Sequence, residues 1–405
     1  MKFGLPRISK DIASLFIATF FIAFSVTMMS PILPEIKNEF QLSYTAASLL
    51  LSSFAVSRLI LSIPSGYLYE KTNKKNLLIG GIALLSAGSL IAGLSSGFLM
   101  FLASQVIMGA GFSICITTVI VSLSSSATKE NRGKLLGMNS FVRSVGGIIA
   151  PTLAGIIAVI FAWRNVFLFY AAISVLCIVL LYFFFSGEVK RPAEKEEEAE
   201  MKNYKQTLYG LFAIMLLTNI VFMGFRGSAV PLFASDVLKL DSGQIGFLLS
   251  VSAFVFLIFA PVSAYLSDRH GRKVFMVLST LAFTLSVFGF LVAKNEFHLM
   301  LLMGLFGYGS IIFVSSTAML GDITQAKHAS KNYSMMRFIS DFGMVIGPVA
   351  TGLLLDSYGF KAVGWLLGAL SFVAFIIALY VIEEPKYRLD LKRLLNIATF
   401  GRFGE

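Results

Sequence analysis

Long apolar runs separated by short polar stretches repeat along the whole chain. Charge-free runs of spanning length occupy 12–34, 76–128, 165–186, 206–225, 242–267, 274–293, 299–321 and 362–382. Crossing a bilayer core takes roughly 20 apolar residues in a helix, so 76–128 is too long for one span, and Gly93-Leu-Ser-Ser-Gly97 divides it as a short hairpin. Three further runs have the same character but enclose charge: 43–69 around Arg58, 135–162 around Arg143, and 333–355 around Arg337 and Asp341. The pattern predicts twelve transmembrane helices. The first is long, has no small-residue cleavage site and runs into Pro31-Ile-Leu-Pro34, so no removable signal peptide is expected.

Composition agrees with a chain dissolved in lipid. Hydrophobic residues make up 57% and charged residues only 14% of the 405, against nearer half and a quarter in soluble domains. This excludes a soluble enzyme, a disordered chain and a disulfide scaffold, and the only two cysteines, Cys115 and Cys177, lie in apolar runs as core residues would. The net charge of +11 has no soluble basic face on which to bind nucleic acid, and topology accounts for it. With both termini placed inside, 24 lysines and arginines fall on that side, five (Lys37, Arg164, Lys239, Lys294, Lys361) on the other, and four within spans. That asymmetry predicts a multi-pass protein of the plasma or inner membrane with cytoplasmic termini. Trp163 and Trp365, at outer helix ends, fit an interfacial aromatic belt.

The second half of the sequence restates the first. Gly66-Tyr-Leu-Tyr-Glu-Lys-Thr-Asn-Lys-Lys75 aligns with Ala264-Tyr-Leu-Ser-Asp-Arg-His-Gly-Arg-Lys273 at an offset of 198, and Gly146-Gly-Ile-Ile-Ala-Pro-Thr-Leu-Ala-Gly155 with Gly343-Met-Val-Ile-Gly-Pro-Val-Ala-Thr-Gly352 at 197. Pro34 and Pro231 share the 197 spacing. An N-terminal six-helix bundle (1–186), a hydrophilic cytoplasmic linker (187–205), a C-terminal six-helix bundle (206–382) and an amphipathic cytoplasmic tail (383–405) are therefore expected, a duplication typical of secondary transporters with a site between the halves.

At these residues the chain resembles the major facilitator superfamily, over essentially its whole length. Asp268-Arg269-x-Gly271-Arg272-Lys273 is similar to the family's signature loop; in the first copy, after Gly66, Glu70 stands for the usual Asp, Lys71 for Arg and Asn73 for Gly. Gly146, Pro151 and Gly155 in the fifth predicted helix resemble the proline-glycine motif of drug-proton antiporter-type exporters, with Ala150 and Ala154 in place of glycines. Gly109-x-Gly111 sits where the fourth helix's motif would be, but Gln105 occupies the position that usually holds arginine. The resemblance implies an all-α integral membrane protein, twelve helices in two pseudo-symmetric six-helix bundles (the major facilitator fold), with a central cavity lined by helices 1, 4, 7 and 10. Phe20, Phe21, Phe24, Thr27, Gln105, Ser113, Thr117, Asn219, Phe222, Tyr308 and Ser315 are its candidate lining, rich in aromatics and suited to an amphipathic ligand.

Three groups of residues carry candidate chemistry. Glu70 and Asp268 end helices 2 and 8, where a carboxylate opposes its own helix dipole; they are expected to dock on the starts of helices 11 and 5 when the inner gate closes, or else simply to anchor topology. Pro151 and Pro348, with Gly343 and Gly347 beside the latter, serve close packing or a hinge in equal measure. Ionisable groups within spans mark functional sites by default: Arg58, Arg143, Arg226, and Arg337 with Asp341 one turn on. Asp341 is the one carboxylate placed well inside a span, hence the proton-carrier candidate, although a permanent ion pair with Arg337 is an equal reading. Arg58 and Arg226 have no acid at helical spacing and would reach into the other half, attract an anionic ligand or snorkel to the interface. The reading is a secondary active transporter, not an enzyme, moving a small amphipathic or hydrophobic molecule by alternating access, with proton-coupled efflux first and an organic-anion carrier using the arginines second. Protons, a small molecule and lipid are its expected partners; no cofactor and no metal are expected, and the chain is expected to act as a monomer.

Overall fold

A computed structural model describes residues 9–127, 132–187, 204–324 and 326–385. Most of the expected linker and tail therefore lie outside the described residues. Every described element is helical. In chain order the spans are α1 Lys10–Glu39, α2 Tyr44–Lys71, α3 Lys74–Gly93, α4 Phe98–Ser125, α5 Arg132–Phe161, α6 Arg164–Phe184, α7 Lys205–Asp236, α8 Ser242–His270, α9 Arg272–Val292 and α10 Glu296–Ile323. Among the described residues eleven helices are long and apolar enough to cross a membrane, and the last, Lys331–Tyr380, is 50 residues long. Gly359, at φ +76° and ψ −175°, breaks it into α11 (326–358) and α12 (360–380), which restores twelve spans. Only glycine takes that backbone conformation without strain.

Local chemistry sets the helix starts. Ser43 accepts from the Ala46 amide, Asn73 from Lys75 and Asn76, and Asn295 from His298; Asp241 and Gln244 form a reciprocal capping box. Each polar cap falls where the chain leaves its apolar run. Inside the spans, buried hydroxyls such as Ser14, Thr19, Ser174 and Thr218 donate to carbonyls four residues back, so no water is needed to satisfy them.

The two halves pack by the same contacts at the offset of the sequence repeat. A Cβ on Gly109 would strike the Phe54 carbonyl, and one on Gly307 the Ser252 carbonyl. Gly111 lies against Leu85 as Gly309 lies against Phe283, and Gly146 lies against α1 as Gly343 lies against α7. Backbones in lipid approach this closely only through such small residues. The halves meet along α2 and α11 on one side and α5 and α8 on the other, again as matched pairs. Gly352 abuts Thr45 and Gly155 abuts Ser242; Ser52 donates to the Val345 carbonyl at 2.7 Å and Ser250 to the Ile148 carbonyl at 2.6 Å. The fold is thus two pseudo-symmetric six-helix bundles.

One expected belt residue is misplaced by the interface reading. Trp365 is exposed, but Trp163 is buried among Phe40, Phe101 and Phe167 and donates its indole N–H to Glu39. The ring is covered by aromatic neighbours while its N–H reaches the exposed Glu39 carboxylate, so the indole is buried without leaving its donor unsatisfied.

Candidate functional site

Between the halves lies a cavity of about 190 Å³. One wall is a π-helical stretch of α7, Phe222–Ala229, in which the Val230 amide reaches back five residues to the Phe225 carbonyl. Gly224 and Gly227 make the wide turn possible, with Gly224 pressed on Gly347 and Thr351 of α11. π-turns within helices recur at functional sites. This one presents Phe222, Met223, Arg226 and Gly227 to the cavity; Val26, Thr27 and Ser30 of α1, Ser144 and Gly147 of α5, Ser252, Ala253 and Phe256 of α8, and Ser310 and Phe313 of α10 complete it. Arg226 is 7% exposed. Its Nε donates to the Ser252 hydroxyl at 3.0 Å and Nη2 to the Leu249 carbonyl at 3.1 Å, and its guanidinium lies over the Phe222 ring at 5.8 Å. Among the described residues it has no carboxylate partner.

The second cluster crosses the other interface. Arg58 at the middle of α2 forms an ion pair with Asp341 of α11, and its Nη1 contacts the Met344 sulfur at 3.5 Å. The guanidinium also faces the Phe112 ring at 5.0 Å. Arg337, the partner suggested by helical spacing, stands 4.0 Å from the other carboxylate oxygen, which makes no hydrogen bond in the structure. Arg143 has no ion-pair partner among the described residues and lies within electrostatic reach of Arg58. Side-chain exposure is 16% for Arg58 and 2% for Asp341, so the pair is largely desolvated and removing either member is expensive.

The repeat relates the two clusters. Positions equivalent to Asp341 and Arg58 in the opposite halves are Ser144 and Phe256, and both line the cavity. On one side of the pseudo-twofold a salt bridge fills the interface; on the other, a small serine and an apolar ring leave it open. Helical periodicity cannot find Ser144, Ser252 or Phe256, but the repeat offset applied to the buried charges leads to two of them.

Of the lining candidates, the structure brings Thr27, Phe222 and the intramembrane Arg226 to the cavity. Phe24 instead stacks on Tyr170 in the N-terminal bundle, Phe20 meets Phe21 edge-on, and Tyr308 packs against Phe259. Asn219 is buried with its amide donating to the Met215 carbonyl, and Gln105 is buried beside Met108.

The two ends of the molecule differ. At the end poor in lysine and arginine the halves are tied together. Asp236 accepts from Tyr44 Oη at 2.7 Å and Lys37 Nζ at 3.2 Å, and Ser242 donates to Glu35. Asp356 accepts from the Tyr44 amide at 2.9 Å, the Thr45 amide at 2.9 Å and the Thr45 hydroxyl at 2.6 Å. At the charge-rich end the signature residues make no such bonds between halves among the described residues. Asp268 at the end of α8 pairs with Arg272 at the start of α9, across the turn at Gly271, and Arg272 also donates to Asp322 at 3.0 Å and Ser267 at 2.8 Å, bracing α8, α9 and α10 within one half. Gly271 ends α8 at φ +99°. Glu70 is exposed with no partner among the described residues, and Lys71 and Arg269 lie over Tyr67 and Tyr265. Gly66 faces open space.

Known proteins agree with this architecture. The family model described as Major Facilitator Superfamily matches residues 15–225 and 211–395. Multidrug resistance protein 1 of Bacillus subtilis (strain 168) is 24% identical over 357 residues, 85% of this chain and 89% of that protein. The quinolone resistance protein NorA of Staphylococcus aureus is 26% identical over 179 residues, 44% of each chain. The crystal structure of a POT family transporter in complex with 5-aminolevulinic acid matches with a TM-score of 0.78 at 14% identity, over 94% of this chain and 96% of that one, a likeness of fold alone.

Proposed function

The chain belongs to the Major Facilitator Superfamily, and from that premise we propose that it is a secondary active exporter which exchanges a small amphipathic compound for protons by alternating access. Membrane transport of a small molecule follows from the family. Export is favoured by relatives named for multidrug and quinolone resistance. The charge asymmetry favours a cytoplasmic place for the charge-rich end; on that reading the tied end faces outward and the cavity is approached from inside.

The observation that carries proton coupling is the Arg58–Asp341 pair between the halves. An ion pair that bridges two rocking bodies is intact only in one of their arrangements, so protonation and conformation become linked. When the outer end opens, α2 leaves α11, Arg58 leaves Asp341, and a carboxylate stripped of its counter-charge takes a proton from outside. On closure Arg58 reclaims the carboxylate and the proton departs inward. Arg337, farther off and 37% exposed, keeps the vicinity positive and helps expel it. Ligand and proton are then governed by the two halves of one pseudo-symmetric interface, the cavity at Ser144 and Phe256 and the pair at Asp341 and Arg58. Glu70 and Asp268, free of the opposite half here, are assigned to the opposite, inward-closed arrangement, with Gly146, Pro151, Gly155, Gly343, Gly347 and Pro348 supplying the close contacts on which the bundles turn. The protein is expected to work as a monomer in the plasma or inner membrane, both termini in the cytoplasm.

The test is flux of a fluorescent amphiphile in proteoliposomes under an imposed pH gradient. Gradient-driven movement that Asp341→Asn abolishes supports the reading; flux indifferent to the gradient, or unchanged by that substitution, refutes proton coupling through Asp341.

A further inference from the structure

We propose that the cavity selects a small aromatic or aliphatic body bearing one anionic group, a carboxylate or sulfonate, and that Arg226 is the residue that receives the anion. The proposal rests on the cavity being the transport site. Among the described residues Arg226 is the only charged side chain in the cavity wall, and no acid faces it there. A guanidinium stays ionised inside a protein and carries five N–H donors. Here Nε and Nη2 are engaged by a hydroxyl and a carbonyl, both neutral; Nη1 makes no hydrogen bond to any described residue, nor is it among the buried atoms sealed from any partner. A desolvated cation with only neutral acceptors is poorly compensated. A planar anion arriving at Nη1 and Nη2 would complete it with the paired, charge-assisted geometry that arginine favours.

The rest of the wall fits the other end of such a molecule. Phe222, Met223, Phe256 and Phe313 offer apolar faces, and the π-turn aims Arg226 and Phe222 into the same space. The other intramembrane charges do not line this cavity: Asp341 is held by Arg58 across the opposite interface, and neither Arg143 nor Arg337 is part of the wall. A cationic amphiphile would meet like charge in a site of low dielectric, with no carboxylate in the wall to receive it.

Isothermal titration of the full chain in lipid nanodiscs with 1-naphthoate, 1-naphthamide and 1-naphthylmethylamine tests this on one ring system. The acid is expected to bind about ten-fold or more tightly than the amide, as the gain from one charge-assisted pair requires, and the amine more weakly than either. Arg226→Gln should erase the preference for the acid while leaving the amide affinity within about three-fold, and Arg226→Lys should retain part of it. Wild-type affinities for acid and amide within about two-fold of each other, tighter binding of the amine, binding of none of the three, or an acid preference that survives Arg226→Gln would overturn the proposal. The comparison on wild-type protein needs no variant to fold. Proton-driven flux of tetraphenylphosphonium without any acid preference would leave the export reading standing and sink this one; acid preference at Arg226 without proton-driven flux would do the reverse.

Discussion

Replacing Asp341 with asparagine removes the single negative charge from a cluster that contains Arg58 and Arg337. The substitution keeps shape and leaves the Arg58 guanidinium in place, with its Nε already lacking a partner and Nη2 now facing a neutral amide. Removing one member of a buried pair typically costs about 3–5 kcal/mol. Arg58 retains partial exposure and can recruit water, which argues for the lower end, about 3 kcal/mol. The Arg337 contact is long, at 4.0 Å, and its guanidinium side is 37% exposed, so its loss adds only about 0–1 kcal/mol. Reversible unfolding in mixed micelles should therefore show a large destabilisation for Asp341→Asn and for Arg58→Leu alone, and much less than their sum in the double variant, because two apolar or neutral groups tolerate the site better than one orphaned charge. A coupling of at least about 1.5 kcal/mol is expected. Single variants within about 0.5 kcal/mol of wild type, or strictly additive effects, would refute the reading that the two residues form one desolvated unit.

Gly246→Val would drive a branched side chain into the Pro151 carbonyl; overpacking of about 1–3 kcal/mol should appear as a lower melting midpoint, while the same change at Gly66, which faces open space, should leave the midpoint unmoved. Asp356→Ala removes three hydrogen bonds at the start of α2, a capping loss of about 1–2 kcal/mol. It should speed maleimide labelling of a cysteine placed at buried Ser48, and equal labelling rates would count against Asp356 as part of the outer tie. Asp268→Ala breaks only a pair across the α8–α9 turn whose acid is 60% exposed and should change stability by under about 1 kcal/mol, whereas Arg272→Ala, which also loses Asp322 and Ser267, should cost clearly more; the reverse order in a melting experiment would contradict the bracing role of Arg272.

The spans and the duplication were legible in the sequence because a bilayer imposes a length and a polarity on every helix, and because the repeat kept its glycines and prolines at fixed spacing. Those glycines turn out to sit at matched backbone contacts, Gly155 on Ser242 and Gly352 on Thr45, which only their equivalence at the repeat offset foretells. The role of Arg58 was open to three readings, a partner in the other half, an anionic ligand or the interface, since helical spacing relates Asp341 to Arg337 and is silent about a residue 283 positions away. The aromatic candidates suffered from a different ambiguity. Phe24 and Phe222 occupy helices of equivalent position, yet Phe24 packs on Tyr170 inside one bundle while the π-turn rotates Phe222 into the cavity. A π-turn has no sequence period of its own, so Arg226 could be flagged as a buried charge but not given a direction. Trp163 followed the same logic in reverse: its place at a helix end suggested the interface, and its burial comes from tertiary packing against Phe40, Phe101 and Phe167, to which helix position gives no clue.

The central claim is that the two bundles move against each other, opening one end as the other closes, with the Arg58–Asp341 pair made in one arrangement and parted in the other. Paired spin labels in lipid nanodiscs measure this most directly, one pair at exposed Asn38 and Val237 at the charge-poor end and a second at exposed Asn76 and Lys331 at the charge-rich end. On acidification the account predicts that the first distance lengthens while the second shortens, and that Asp341→Asn populates the lengthened state without acid. Distances that stay fixed, or that change in the same sense at both ends, would contradict it.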